Sequence, residues 1–260
     1  MRKVREVPAW GERKFVGLGL SDWNLEGLTM SRFKSATLML LPPILGLLSN
    51  ILVTTFVYPY PIAQFIIPSV ALYVVFGLMI LSLVKVWKWE RSDLGFKRKN
   101  LRKNIGIGVL GGLATISIGF VIWGLAFACV DVFELQGLTR YLMVGLEAGS
   151  SPALPLVTML TIVLVVWCVM PAFIEETYFR GLVIRKLQDF KLSGRTVLIT
   201  QALIFGFWHW HWGVVRGFLF TFIMALILAK LYFRQKSIAT PIVVHLTNNI
   251  IGNTIWVLGI

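Results

Sequence analysis

Two adjacent carboxylates, Glu175 and Glu176, stand directly after a long apolar run and are followed by Arg180 in the stretch Glu175-Glu176-Thr177-Tyr178-Phe179-Arg180. A charged group near mid-bilayer costs about 2.5–3.5 kcal/mol on insertion scales, so charges kept inside a span mark a site. On a helix successive side chains diverge by about 100°, whereas positions four apart share a face. Glu176 is therefore expected to pair with Arg180, which leaves Glu175 to face a cavity. The chain has three histidines, all further on: His209 and His211 in Phe205-Gly206-Phe207-Trp208-His209-Trp210-His211, and His245 in His245-Leu246-Thr247-Asn248-Asn249. Phe205 and His209 are four apart, a spacing that stacks an aromatic ring beside the imidazole. His245 and Asn249 share that spacing, and Asn253 continues their stripe.

One carboxylate, two imidazoles and an amide on separate helices suit hydrolysis by an activated water. Glu175 would be the general base and His209 would orient the water, with His245 and Asn249 donating to a carbonyl oxyanion. No serine or cysteine nucleophile is needed. The same groups also suit a two-histidine, one-glutamate metal site with an open position, for a divalent ion such as zinc. Against both stands a structural reading in which intramembrane histidines bond between helices and a Glu–Arg pair only ties the bundle together. His211, flanked by Trp210 and Trp212, reads as part of an interfacial aromatic belt rather than of the site.

The elements that must position these groups are membrane helices. Hydrophobic residues make up 57% of the 260 positions and charged residues 14%, against roughly a quarter charged in soluble domains. The chain is expected to be all-α, a polytopic transmembrane helical bundle of about seven to eight spans, without a separate soluble domain. The net charge of +13 falls in patches between apolar runs, where the positive-inside rule accounts for it, so nucleic acid is not an expected partner. Cys129 and Cys168 both lie in apolar spans and imply neither a disulfide framework nor a CxxC zinc site.

Three parts are expected: residues 1–34 as a cytoplasmic or interfacial N-terminal segment, 35–150 as N-terminal transmembrane helices, and 151–260 as the catalytic transmembrane core. Segment 1–34 mixes seven basic with four acidic residues and has no continuous apolar run, unlike a cleavable signal peptide. Spans are expected at 35–58, 62–84, 105–130, 154–170, 196–212, 217–233 and 240–258. Pro171 should kink the chain before a further helix carrying Glu175 and Arg180. The basic loop 85–104 places the N-terminus in the cytoplasm of a multi-pass integral membrane protein, at the cell membrane if the source is bacterial. Small residues at Gly108, Gly111, Gly112 and Ala114 permit close helix contact. Around a turn centred near Leu192, Glu175 and His209 are equidistant in sequence, so a helical hairpin brings them to similar depth; His245 should be shallower.

Taken in order, Glu175-Glu176-x-x-x-Arg180, Phe205-x-x-x-His209 and His245-x-x-x-Asn249 resemble the three motifs of the CAAX protease and bacteriocin-processing (CPBP, or Abi) family of intramembrane endopeptidases, related to the type II CAAX prenyl endopeptidase. Phe179 and Gly181 on either side of Arg180 strengthen the first motif. The resemblance covers 154–249, whereas residues 1–150 match only as membrane spans. It implies that Glu175 and His209 activate water, that His245 and Asn249 stabilise the oxyanion, and that Glu176, Arg180 and Phe205 support the site. Asn249 rather than Asn248 takes the amide role on the family spacing. A metal-independent glutamate mechanism is preferred, with no cofactor required, because an asparagine is a poor metal ligand and a good oxyanion donor.

The implied substrate is a membrane-associated peptide or protein, with prenylated ones in the family's range, and the lipid bilayer is the other partner. The alternative from a different class is a non-catalytic bacteriocin self-immunity protein or membrane-protein scaffold. A full set of Glu175, His209, His245 and Asn249 counts against it, since a scaffold has no need of all four.

Overall fold

The structure is a computed structural model that describes residues 35–41, 44–45, 48, 63–97, 100–132, 161, 163–210 and 213–258. The N-terminal segment, most of the first expected span, the start of the fourth span with the loop before it, His211, and the side chain of Cys129 lie outside the described residues. Among the described residues the structure is all-helical. Three helices are long and apolar enough to cross a membrane, over Ser69–Val86, Leu101–Ala126 and Gly217–Gln235.

Helix α1 spans Ala63–Val86 and α2 spans Leu101–Val132. Next comes α3, Met170–Glu176, set between two π-helical segments, Val163–Val169 and Thr177–Val183, and continuing into α4, Ile184–Asp189. Helix α5 is Gly194–Trp208. A third π-helical segment, Val214–Phe220, leads into α6, Thr221–Gln235, and α7 is Ala239–Leu258.

Pro171 stands where the π-helical turns give way to α3, the helix that carries the glutamates, with the backbone helical on both sides. Proline lacks a backbone N–H and its ring collides with the carbonyl four residues back. Here it occupies the first turn of α3, just after the wider π-helical turns of Val163–Val169, where the standard bonding pattern is already suspended. Local π segments of this kind concentrate at functional sites. Ser193 starts α5 by accepting a hydrogen bond from the Thr196 backbone N–H at 3.2 Å, an N-cap that satisfies one of the donors a helix leaves unpaired. Lys236, in the left-handed region at φ 51°, ends α6.

Two kinds of packing hold the bundle. Along α2 and α7 the glycine backbone of one helix receives side chains of the other: a Cβ added at Gly108 would lie 2.5 Å from Val243 Cβ, and one at Gly112 would lie 2.5 Å from Thr247 Cβ. A small-x-x-x-small face lets helices approach this closely where lipid supplies no hydrophobic drive. The seam brings α2 against the helix that carries His245 and Asn249.

The other packing is aromatic. Phe76 of α1 lies 4.9 Å from the Tyr178 ring and 5.2 Å from that of Trp208, and Phe179 meets Phe205 edge-on at 4.8 Å. All five rings are buried. This cluster joins α1, the helix of Glu175 and α5.

The basic loop after α1 folds back on the end of α4. Lys186 Nζ stands 4.6 Å from the centre of the Trp87 ring, and Leu94 packs so closely on Gly181 that a Cβ there would come within 3.1 Å of the Leu94 carbonyl oxygen. A side chain after Arg180 would thus press on the loop.

Candidate active site

Glu175 and Glu176 end α3, and their angular separation sends them to different neighbours. Glu176 Oε1 accepts from Arg180 Nη1 at 2.9 Å, one helical turn on. The same oxygen accepts from His245 Nδ1 of α7 at 2.8 Å. Arg180 and Glu176 are both fully buried, and the guanidinium lies 4.5 Å from the centre of the Phe205 ring. A carboxylate shared by a guanidinium and an imidazole, under an aromatic lid, is a rigid charged knot between α3, the π segment after it and α7.

Glu175 points the other way. Its Oε1 accepts from the Tyr73 hydroxyl of α1 at 3.0 Å, and its Oε2 lies 3.5 Å from His209 Nε2. His209 is the residue that ends α5, and its ring Nδ1 lies 2.9 Å from the Phe205 carbonyl oxygen of its own last turn. A carbonyl only accepts, so Nδ1 carries a proton. In the neutral ring Nε2 is then a lone pair, aimed at Glu175. The Phe205 ring packs on the imidazole at 4.4 Å between centroids and restricts its rotation.

The structure therefore brings Glu175 together with His209 across the α4–α5 turn, and His245 together with Glu176 rather than with Glu175. Phe205 stands among them, 6.2 Å from the His245 ring as well. Asn249 donates from Nδ2 to the Trp167 carbonyl at 3.3 Å, and Asn253 reaches the same carbonyl and Cys168 Sγ, each at 3.5 Å. The amide of Asn249 has a second N–H, so one donor stays available beyond that contact. His211 is outside the described residues.

Buried polar atoms without a hydrogen-bond partner among the described residues concentrate here: Oε2 of Glu175, Oε2 of Glu176, and Nε and Nη2 of Arg180. A cluster of unmet acceptors and donors in the interior is polar enough to take water or a polar substrate group. A resident zinc would need three protein donors around one point and an open fourth position. Among the described residues no group of three His, Cys, Asp or Glu side chains is so arranged, and His245 Nδ1 and Glu176 Oε1 are engaged with each other.

Tyr73 is the site residue that sequence reasoning missed. The available signal was a tyrosine in the middle of the largely apolar span 62–84; buried hydroxyls of this kind find partners.

No curated protein and no solved structure matches the chain. Residues 157–251, less than half of the chain, match the family model described as type II CAAX prenyl endopeptidase Rce1-like. That segment contains Glu175, Glu176, Arg180, Phe205, His209, His245 and Asn249, and its likeness to the Rce1-like family is consistent with the CAAX protease and bacteriocin-processing family.

Proposed function

We propose that this chain is an intramembrane endopeptidase that hydrolyses a peptide bond of a membrane-associated protein or peptide, prenylated substrates included. The observation that carries the reading is the facing of Glu175 Oε2 and His209 Nε2 at 3.5 Å, each group being held through its other polar atom. A water resting against this pair donates one O–H to Glu175 Oε2 and lies beside His209 Nε2.

Glu175 takes a proton from this water as its oxygen bonds to the scissile carbonyl carbon, and later delivers it to the amine nitrogen as the C–N bond breaks. His209 fixes the direction of attack. The oxyanion is met by the second N–H of Asn249 and by His245. With Nδ1 donating to Glu176, His245 has a proton to offer at Nε2 only as the imidazolium. Glu176 and Arg180 hold that partner in place, and Phe205 supports both imidazoles. The scheme needs no metal or organic cofactor.

Residues 151–260 carry this chemistry, and 35–150 supply further membrane helices after the 1–34 segment. We place seven principal spans in the bilayer with the N-terminus and loop 85–104 on the cytoplasmic side. Single cysteines at Ser92 and Ser150, with Cys129 and Cys168 replaced, should label from opposite faces; equal labelling from one face would sink this topology.

The activity itself is tested by comparing the membrane peptidome of cells bearing the wild type with that of cells bearing Glu175→Ala. Loss of specific cleavage products is expected. Identical peptidomes, with the variant present at wild-type levels, would turn the reading to the non-catalytic scaffold.

A further inference from the structure

We infer that Tyr73 is a positioning residue for Glu175, so that the reactive end of the site is incomplete without α1. This rests on the hydrolytic reading above. The terminal torsion of a glutamate is broad and two-fold, so an unheld carboxylate presents either oxygen over a wide range of angles. Tyr73 lies 102 positions from Glu175 in sequence, and its hydroxyl donates to Oε1 at 3.0 Å. With Oε1 held, Oε2 is the oxygen left facing His209 Nε2. Oε2 has no hydrogen-bond partner among the described residues, so it is the one free to take a proton.

The imidazole is arranged in the same manner from the other side. Its Nδ1 meets the Phe205 carbonyl and its face the Phe205 ring, and Nε2 is the ring atom that faces Glu175 Oε2. Each partner is thus anchored through the atom that does not react.

Tyr73 is itself well placed to act as an anchor. Three residues on, Phe76 is 2% exposed and wedges between Tyr178 and Trp208. Tyr178 lies three residues after Glu175, and Trp208 immediately precedes His209. The packing therefore registers α1 on the two elements whose side chains must meet. A phenol also suits the task chemically, since it is neutral. A cation in its place, such as Arg180 provides for Glu176, would stabilise the carboxylate anion and make it a poorer proton acceptor.

Tyr73 lies well before the matched segment 157–251, so the inference adds a residue from the N-terminal part to a site otherwise built after position 150.

The test uses full-length protein in detergent, with a fluorescence-quenched peptide ending in a farnesylated Cys-aliphatic-aliphatic-X sequence as probe. In parallel, the infrared carboxylate band of Glu175 is isolated as the difference between protein with Glu175 and its Glu175→Gln variant, in wild-type and Tyr73→Phe backgrounds. In Tyr73→Phe the band should shift. The kcat should fall about tenfold to a hundredfold, the loss of one hydrogen bond to a charged group. KM and the thermal midpoint should stay as in the wild type.

An unshifted band overturns the inference, and so does a shifted band with wild-type kcat. A rise in KM at constant kcat also overturns it, because Tyr73 would then be a substrate contact. If the wild type does not cleave the probe while the band still shifts, the prenylated-substrate part of the hydrolytic reading fails and the orientation of Glu175 by Tyr73 stands.

Discussion

Glu176 accepts from Arg180 at 2.9 Å and from His245 at 2.8 Å, whereas its neighbour Glu175 accepts one hydrogen bond from a neutral phenol and faces His209 at 3.5 Å. Both carboxylates are buried to the same degree, 0% and 2% exposed, so burial does not separate their roles. What separates them is the charge and distance of their partners. Short bonds from a guanidinium and an imidazole lock one carboxylate into the frame. A neutral donor on one oxygen and a spaced acceptor beside the other leave the second carboxylate oriented and still unsatisfied.

The sharpest way to break this comparison is at Glu175. Glu175→Gln keeps size and shape and can still accept from Tyr73, so folding should be unchanged while turnover falls by about 10² to 10⁴-fold, the typical contribution of a general base. The farnesylated peptide assay together with a thermal melt measures both. A folded Glu175→Gln protein with full activity would remove Glu175 from the chemistry.

Glu176→Gln should show the opposite profile. The amide oxygen can still accept from His245, but Arg180 loses its only ion-pair partner among those described, and an uncompensated buried charge destabilises by about 3 to 5 kcal/mol. A lower thermal midpoint or loss of expression is expected. Equal midpoints for Glu176→Gln and Glu175→Gln would erase the distinction between the two carboxylates.

A smaller effect is expected at the glycine seam that sets the depth of His245. In Gly112→Val the new Cβ falls 2.5 Å from Thr247 Cβ, and overpacking of this kind costs about 1 to 3 kcal/mol. Because α7 must move away from α2, activity should fall more than stability, whereas Gly106→Ala, which meets nothing within 4 Å, should leave both unchanged. Similar melts and rates for the two variants would show that the seam does not hold the site.

The smallest effect should come from Phe205→Leu. It keeps an apolar contact but removes the ring beside His209 and beneath Arg180, and a cation–π contact contributes about 0.5 to 2 kcal/mol. A modest drop in midpoint with a several-fold lower kcat is expected. A drop in midpoint with no change in kcat would assign Phe205 to the Glu176 side alone.

Much of this was open to a reader of the sequence. The Glu176–Arg180 pair follows from i, i+4 spacing on a helix, and the stacking of Phe205 on His209 follows from the same rule at the end of α5. Spacing around the turn near Leu192 puts Glu175 and His209 at one depth, and glycines four apart at 108 and 112 announce a close helix contact. These are local relations or simple consequences of helical rise, and local geometry is what a linear pattern encodes.

The tertiary structure decided which partner each group chose across helices. His245 went to Glu176, on the helix α7 that the Gly108 and Gly112 seam brings against α2 through Val243 and Thr247. Tyr73 came to Glu175 because Phe76 inserts between Tyr178 and Trp208, a fit of side-chain shapes with no signature in spacing. Pro171 stayed inside a continuous helical run because π-helical turns precede it. The residues and their periodicity determined what could react; the rotation and register of helices far apart in sequence determined what meets, since these depend on the packing of all the helices together.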